Sequence, residues 1–161
     1  MPIVEEFHLP VELTVEFLGT FARFEYALKR AGYIAGSATQ PAADWDRIGR
    51  ELANLAADEV APVLAAGQYL QSDPPRKQVN DGGRLIWKDR GPSGGTAIEE
   101  LLLSVRAVRN NVFHGGKFPE CPIAEPLRDE RLVLECVAVL MALLSVPVIG
   151  RDLALYFHPE D

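Results

Sequence analysis

The stretch TAIEELLLSVRAVRNNVFHGG, residues 96–116, predicts one long helix whose beginning and end are both marked by sequence. Thr96 and Glu99 have the spacing of a capping box, in which each side chain accepts a hydrogen bond from the other residue's backbone N–H. Two glycines follow His114 and mark the helix end. With about 100° per residue, one side of this helix is apolar and is predicted to face the core: Ile98, Leu101, Leu102, Val105, Val108 and Val112.

Arg109 falls within that core-facing sector, although it is charged. An isolated buried guanidinium costs several kcal/mol, so it must reach solvent or find a partner. An ion pair with a carboxylate such as Glu25 is one interpretation. A second stripe lies on the opposite side, which suggests that another helix or a second subunit covers it: Leu103, Ala107, Asn110 and His114. Because Arg109 and His114 are about 140° apart on an ideal helix, a site that uses both needs distortion at the glycines or a second chain.

Apolar residues at spacings of three and four also predict a helix over residues 11–31, between Pro10 and Gly32. A linker rich in Gly, Ser, Thr and Pro is expected after this helix, and Asp44 can cap the next one. Pro62 is expected to break or kink that helix before the chain continues as another one.

Pro126 opens the last long helix, which is predicted to run to Leu144, with a short turn over residues 150–157. Residues 72–95 are rich in Pro, Gly and Asp and cannot be helical throughout. The DGG at residues 81–83 indicates either a hairpin turn or a mobile loop. The predicted fold class is all-α, a bundle of four or five helices with a long Pro/Gly-rich loop that could contain a small hairpin, forming a single domain over residues 1–161.

The composition fits one buried core, with 161 residues of which 48% are hydrophobic. The net charge of −7 argues against an anionic partner. That average hides an asymmetry, since residues 76–117 carry +4 and the rest of the chain −11. The tract at residues 131–150 approaches the length of a membrane span, but Glu135 inside it favours a core helix.

The two cysteines, Cys121 and Cys136, fit neither a disulfide framework nor a zinc site. Cys136 is predicted to be buried on a helix. Reduced thiols and the lack of a secretory signal indicate the cytoplasm. His8 and His158 lie near the ends without other ligand types beside them, so no metal and no cofactor are predicted.

A histidine at a helix end, beside an arginine and amide side chains, suits transesterification at an RNA phosphate. His114 would transfer protons while Arg109 stabilises charge on the phosphoryl oxygens. The alternative is a histidine that only bonds terminal carbonyls, with Asn110 and Asn111 as local caps. By itself, an Arg-x4-His spacing is a weak signal.

RNNVFHGGK, residues 109–117, resembles the Arg-polar-x3-His signature of the HEPN superfamily (higher eukaryotes and prokaryotes nucleotide-binding). FARFEYALKRAGY at residues 21–33 resembles the first-helix signature of the same proteins. DWDRIGREL at residues 44–52 and PPRKQV followed by LIW at residues 74–87 resemble segments of one prokaryotic branch. The resemblance covers roughly residues 11–146.

The resemblance implies an up-down helical bundle, usually a homodimer, with two Arg-x4-His motifs facing each other across a cleft. Many members are metal-independent endoribonucleases of toxin-antitoxin, phage-defence or RNA-processing systems. Others have lost catalysis and serve as nucleotide-binding or assembly modules. The acidity of this chain departs from what RNA binding requires.

The preferred hypothesis is therefore a cytoplasmic dimeric endoribonuclease that leaves a cyclic phosphate, with RNA as substrate and a cognate inhibitor or antitoxin protein as a candidate partner. Its predicted catalytic residues are Arg109, Asn110 and His114. Its predicted substrate-binding residues are Arg106, Asn111 and Lys117, and Glu25 is expected to support Arg109. The alternative hypothesis is a non-catalytic HEPN module for dimerisation and for nucleotide or protein binding.

Overall fold

The computed structural model describes residues 7–114, 125–147 and 149–158. Within these ranges the chain forms seven helices and two antiparallel two-stranded hairpins. The helices are α1 (Val11–Arg30), α2 (Trp45–Ala53), α3 (Ala57–Ala66), α4 (Gln68–Ser72), α5 (Ala97–Phe113), α6 (Pro126–Leu143) and α7 (Ile149–Phe157). The strands are β1 (Ile34–Gly36), β2 (Pro41–Ala43), β3 (Lys77–Asp81) and β4 (Arg84–Lys88). The protein is therefore mostly helical with two small hairpins, of which the β3–β4 hairpin was one of the predicted alternatives and the β1–β2 hairpin was not predicted.

The long helices surround one buried apolar cluster. Helix α1 packs against α6 and α7, and α5 packs against α2, α3 and α6. All six residues that the sequence placed on the inner side of α5 are buried. The amphipathic pattern of residues 98–112 therefore predicted the orientation of the helix that carries Arg109.

Helix α2 is fixed to α1 through Trp45. Its ring stacks on Phe21 and Phe24, with centroid distances of 5.3 and 5.6 Å. The predicted cap is confirmed, since the Asp44 side chain accepts a hydrogen bond from the Arg47 N–H at 3.0 Å.

The prediction that Pro62 interrupts the second helix is wrong. The chain leaves α2 at Asn54 and restarts at Ala57, where the Glu59 carboxylate accepts a hydrogen bond from the Ala56 N–H at 3.0 Å. Pro62 lies inside α3 and is exposed, so water can bond the carbonyl that a proline leaves without an intrahelical donor. The boundary between α2 and α3 is therefore set by Glu59, a side chain that favours a helix start, and not by Pro62.

The charged residue in the apolar tract has a structural role. Glu135 of α6 accepts hydrogen bonds from the backbone N–H groups of Tyr69 and Leu70, at 2.7 and 3.0 Å, and so caps α4. No helix in the described ranges is long and apolar enough to cross a membrane. The neighbouring Cys136 is buried, as predicted, and burial raises the pKa of its thiol. Cys121 lies outside the described residues.

The structure decides between the two alternatives for the DGG segment and forms more local structure than predicted at two other places. The DGG segment is a hairpin turn, with Gly82 and Gly83 at φ of 58° and 85°, values that join β3 to β4 tightly. Residues 34–43, expected to be a linker, contain the β1–β2 hairpin. The expected short turn near the C-terminal end is the helix α7, which packs on α1.

Candidate functional site

The candidate site lies at the C-terminal end of α5. At its other end the capping box is present, because Glu99 accepts a hydrogen bond from the Thr96 N–H at 2.8 Å and Thr96 accepts one from the Glu99 N–H at 3.5 Å. The helix ends at Phe113, and the N–H of His114 donates to the Asn110 carbonyl at 2.9 Å. Gly115 and Gly116, which predicted this end, lie outside the described residues.

Arg109 is held by aromatic rings. Its guanidinium carbon lies 5.5 Å from the centroid of Phe21 and 5.1 Å from that of Phe113. The guanidinium also donates a hydrogen bond to the Asn110 Oδ1 at 3.1 Å. The side chain is half-buried, and no carboxylate of the described residues lies within 4 Å of its guanidinium.

The predicted support of Arg109 by Glu25 is not formed. Glu25 accepts a hydrogen bond from the Trp45 indole N–H at 2.9 Å. Trp45 takes this position because its ring stacks on Phe21 and Phe24 of α1. The stacking brings the indole N–H beside the carboxylate of Glu25, which lies one turn after Phe21 on the same helix. Phe21, rather than Glu25, is the contact that α1 offers to Arg109.

His114 is exposed, and Phe113, which the sequence patterns did not single out, connects it to Arg109. The Phe113 and His114 rings meet edge to face, with centroids 5.2 Å apart and an interplanar angle of 87°. Phe113 is 63% exposed and also touches Arg109. It follows Arg109 by four residues, the spacing at which side chains of one helix face meet, so the spacing could have identified it. Arg109, Asn110, Phe113 and His114 are therefore linked by contacts and are named here the α5-end cluster.

Asn111 does not join that cluster. Its amide donates to the Arg76 carbonyl at 2.8 Å, at the entrance to β3. Together with Trp87, Arg128 and Asp129 it lines a small cavity of about 20 Å³, large enough for a water molecule. The predicted substrate-binding amide thus fastens the β3–β4 hairpin to α5.

Arg106 does not join the α5-end cluster either. Its guanidinium pairs with the Asp46 carboxylate of α2 at 3.2 Å. Both line an open cavity of about 330 Å³ between α2, α5 and the loop at residues 93–95. Lys117, the third predicted substrate-binding residue, lies outside the described residues.

The part of the chain that the structure describes contains no group of three or more His, Cys, Asp and Glu side chains arranged to hold a metal ion. Proton transfer and charge stabilisation at the α5-end cluster are within the chemistry of its own histidine and arginine. No family model, no curated protein and no solved structure matches this chain.

Proposed function

We propose that the protein is a cytoplasmic, metal-independent endoribonuclease of the HEPN type. The observation that carries the proposal is the state of Arg109, which two aromatic rings and an amide hold in place while no carboxylate of the described residues neutralises it. An arginine of this kind is suited to bind a phosphate. The exposed His114 contacts the Phe113 ring, which also contacts Arg109.

The proposed reaction needs only these side chains and the RNA. The His114 imidazole takes the proton from a 2′-hydroxyl, and the 2′-oxygen attacks the adjacent phosphorus. The bond from phosphorus to the 5′-oxygen breaks, and that oxygen receives a proton from an imidazolium. The products are a 2′,3′-cyclic phosphate and a 5′-hydroxyl. Arg109 stabilises the charge on the non-bridging oxygens, and Asn110 orients both the guanidinium and the RNA.

A second copy of the chain is part of the proposal. Leu103 and Ala107 are half-buried on the outer side of α5, and Asn110 and His114 continue that side as exposed residues. Pairing two such faces about a two-fold axis would place two α5-end clusters beside each other. The base and the acid of the reaction would then come from two histidines. A cognate inhibitor protein could cover the same surface.

A non-catalytic module is the second candidate, favoured by the exposure of Phe113. An exposed aromatic ring next to His114 is the type of residue that anchors a protein or nucleotide partner. In that case Arg109 and His114 bind a ligand without turnover, and their substitution changes affinity or assembly alone.

Incubation of the purified protein with varied RNAs in EDTA tests the proposal directly. Wild-type protein should cleave, and His114→Ala should lower the cleavage rate by about 10²–10⁴-fold, the usual contribution of a general acid or base. His158→Ala is the matched control, because that exposed histidine also follows a phenylalanine at a helix end and touches its ring. It should cleave like the wild type.

The products distinguish this mechanism from contamination by another nuclease. A 2′,3′-cyclic phosphate must accumulate, and its formation must depend on His114. Absence of cleavage across varied RNAs, in protein shown to be free of an inhibitor, would reject the nuclease and favour the binding module.

A further inference from the structure

Positive charge is concentrated in the β3–β4 hairpin and the residues beside it. Residues 76–90 contain five Lys or Arg and two Asp or Glu, a balance of +3, which leaves −10 for the rest of the chain. The residues from Lys77 to Gly83 are partly or fully exposed, and Lys88 is exposed too. An acidic protein that binds a polyanion needs a local surface of this kind.

Two lysines of the hairpin lie directly opposite each other. Lys77 of β3 pairs with Lys88 of β4 in the strand register. Side chains at directly opposed positions share one face of the hairpin, with Cβ atoms about 5 Å apart, and like charges there are destabilising. The described part of the chain offers neither ammonium a carboxylate within 4 Å.

The acidic residues of the hairpin have arginines beside them instead. Asp89 accepts a hydrogen bond from the Arg76 guanidinium at 3.2 Å. Asp81 lies opposite Arg84 at the other end of the strands. Of the five opposed pairs of the hairpin, Lys77 and Lys88 alone place two like charges opposite each other.

The base of the hairpin is fastened to the helices. Before β3, Arg128 of α6 binds both carboxylate oxygens of Asp73, at 2.7 and 3.0 Å, and these hydrogen bonds lower the pKa of Asp73 to about 2. After β4, Arg90 pairs with Glu100 of α5 at 3.3 Å and donates to Ser104 at 2.9 Å. Rigid placement reduces the entropy lost when a ligand binds.

The lysines are on the outer face of this fastened hairpin. Trp87 precedes Lys88 and lines the cavity between α5 and α6. Because side chains alternate along a strand, Lys88 and its partner Lys77 point to the opposite face from Trp87. Asn111 connects the same hairpin to the last turn of α5, since its amide holds the Arg76 carbonyl next to Lys77.

We infer that Lys77 and Lys88 form a clamp for the phosphate backbone of single-stranded RNA. The choice of RNA rests on the proposed nuclease function. Two ammonium groups on one face of a hairpin can share one phosphate or bridge two consecutive ones. Lysine acts as a point charge without the fork geometry of arginine, so the clamp binds RNA with little preference for its sequence.

The test compares two double variants that remove the same charge. Both are made in His114→Ala protein so that the RNA stays intact. Lys77→Gln/Lys88→Gln removes the clamp, and Lys29→Gln/Arg151→Gln removes two positive charges from α1 and α7. Fluorescence anisotropy with a labelled single-stranded RNA then gives Kd over a series of salt concentrations.

The clamp variant should bind about tenfold more weakly near physiological salt, and the slope of log K against log[salt] should fall by about 1.4, because two phosphate contacts are lost. The control variant should keep both values of its parent. Equal losses in the two variants, an unchanged slope in the clamp variant, or no RNA binding by the His114→Ala parent would each overturn the inference. So would clamp-dependent binding of poly-glutamate as tight as that of RNA, since the surface would then fit an acidic protein.

Failure of the clamp and failure of the nuclease are separable. Cleavage by protein with wild-type His114 that is insensitive to Lys77→Gln/Lys88→Gln, at RNA concentrations below KM, rejects the clamp and keeps the nuclease. Clamp-dependent RNA binding without any cleavage rejects the nuclease and keeps the clamp.

Discussion

The ends of α5 and α7 have nearly the same local structure and different surroundings. Each helix finishes with Phe-His, and each histidine donates its N–H to the carbonyl four residues earlier, at 2.9 Å for His114 and 3.0 Å for His158. The rings meet edge to face in both pairs, with centroid distances of 5.2 and 4.9 Å. Both histidines are exposed. The Phe-His end is therefore a local structural motif that does not by itself indicate function.

What differs is the preceding turn and the burial of the phenylalanine. Leu153 and Ala154 stand where α5 has Arg109 and Asn110, and Leu153 is fully buried. Phe157 is only 8% exposed and packs on Phe24, whereas Phe113 is 63% exposed and carries a guanidinium on its ring. The α7 end uses the motif for packing, and only the α5 end adds groups that can act on a phosphate.

Among the substitutions that make the two helix ends more alike, replacing Arg109 by leucine, the residue at the equivalent position of α7, should cause the largest loss of cleavage activity. Loss of one stabilising donor should lower the single-turnover cleavage rate by about 10²–10³-fold. Leucine packs well on the core side of α5, so the melting temperature should not fall. Arg109→Lys keeps the charge but not the planar guanidinium and should recover only part of the rate. Near-wild-type cleavage by Arg109→Leu would show that the two helix ends differ for some other reason.

Truncation of the two phenylalanines should separate stability from activity. Phe157→Ala should lower the free energy of unfolding by about 3 kcal/mol, the low end for a buried phenylalanine. Phe113→Ala, at an exposed position, should change it by less than about 0.5 kcal/mol. Urea denaturation measures both. In cleavage assays on folded protein, Phe113→Ala should instead be the more impaired variant, because Phe113 and not Phe157 contacts Arg109 and His114. Equal stability losses would contradict the assignment of packing to one end alone.

Asn110→Ala should have the smallest effect, since it removes one hydrogen bond to Arg109. A loss of about 1 kcal/mol corresponds to a cleavage rate about fivefold lower. Alanine favours the helix more than asparagine does, so stability should be kept. Asn110→Asp provides the sharper contrast, because a carboxylate beside Arg109 competes with the RNA phosphate and should reduce cleavage further. If Asn110→Asp cleaves as well as the wild type, Arg109 does not bind phosphate.

The elements with a clear apolar period could be predicted from the sequence, and the side-chain partners of the site could not. The bounds of α1, α5 and α6 follow from Pro10, Gly32, Thr96 and Pro126, residues whose conformational preferences are local. The end of α2 could not be predicted in this way, because the Glu59 side chain competes with Pro62 as a boundary signal.

The partners of Arg109 depend on residues that are distant in the chain. Charge alone predicts Glu25 as the partner of Arg109. The Trp45 indole stacks on α1 and donates its hydrogen bond to that carboxylate instead. The sequence predicts Asn111 as a substrate-binding residue beside Asn110, yet the step of about 100° between the two directs the Asn111 amide to the hairpin. The HEPN resemblance pointed to Arg109, Asn110 and His114 of the α5-end cluster but not to Phe113, and it remains a proposal about their chemistry.

The position of Asn111 has a consequence for genetic screens of this protein. If the protein is the proposed nuclease, a screen that scores loss of RNA cleavage would recover substitutions at positions 109, 110, 111, 113 and 114 together and would define them as one catalytic motif. Asn111 would enter that set because it secures the strand next to Lys77. Its defect should be corrected by raising the RNA concentration, whereas a His114 defect should not. Neighbouring positions in one mutational hotspot would then report two separate tasks, holding the substrate and cutting it.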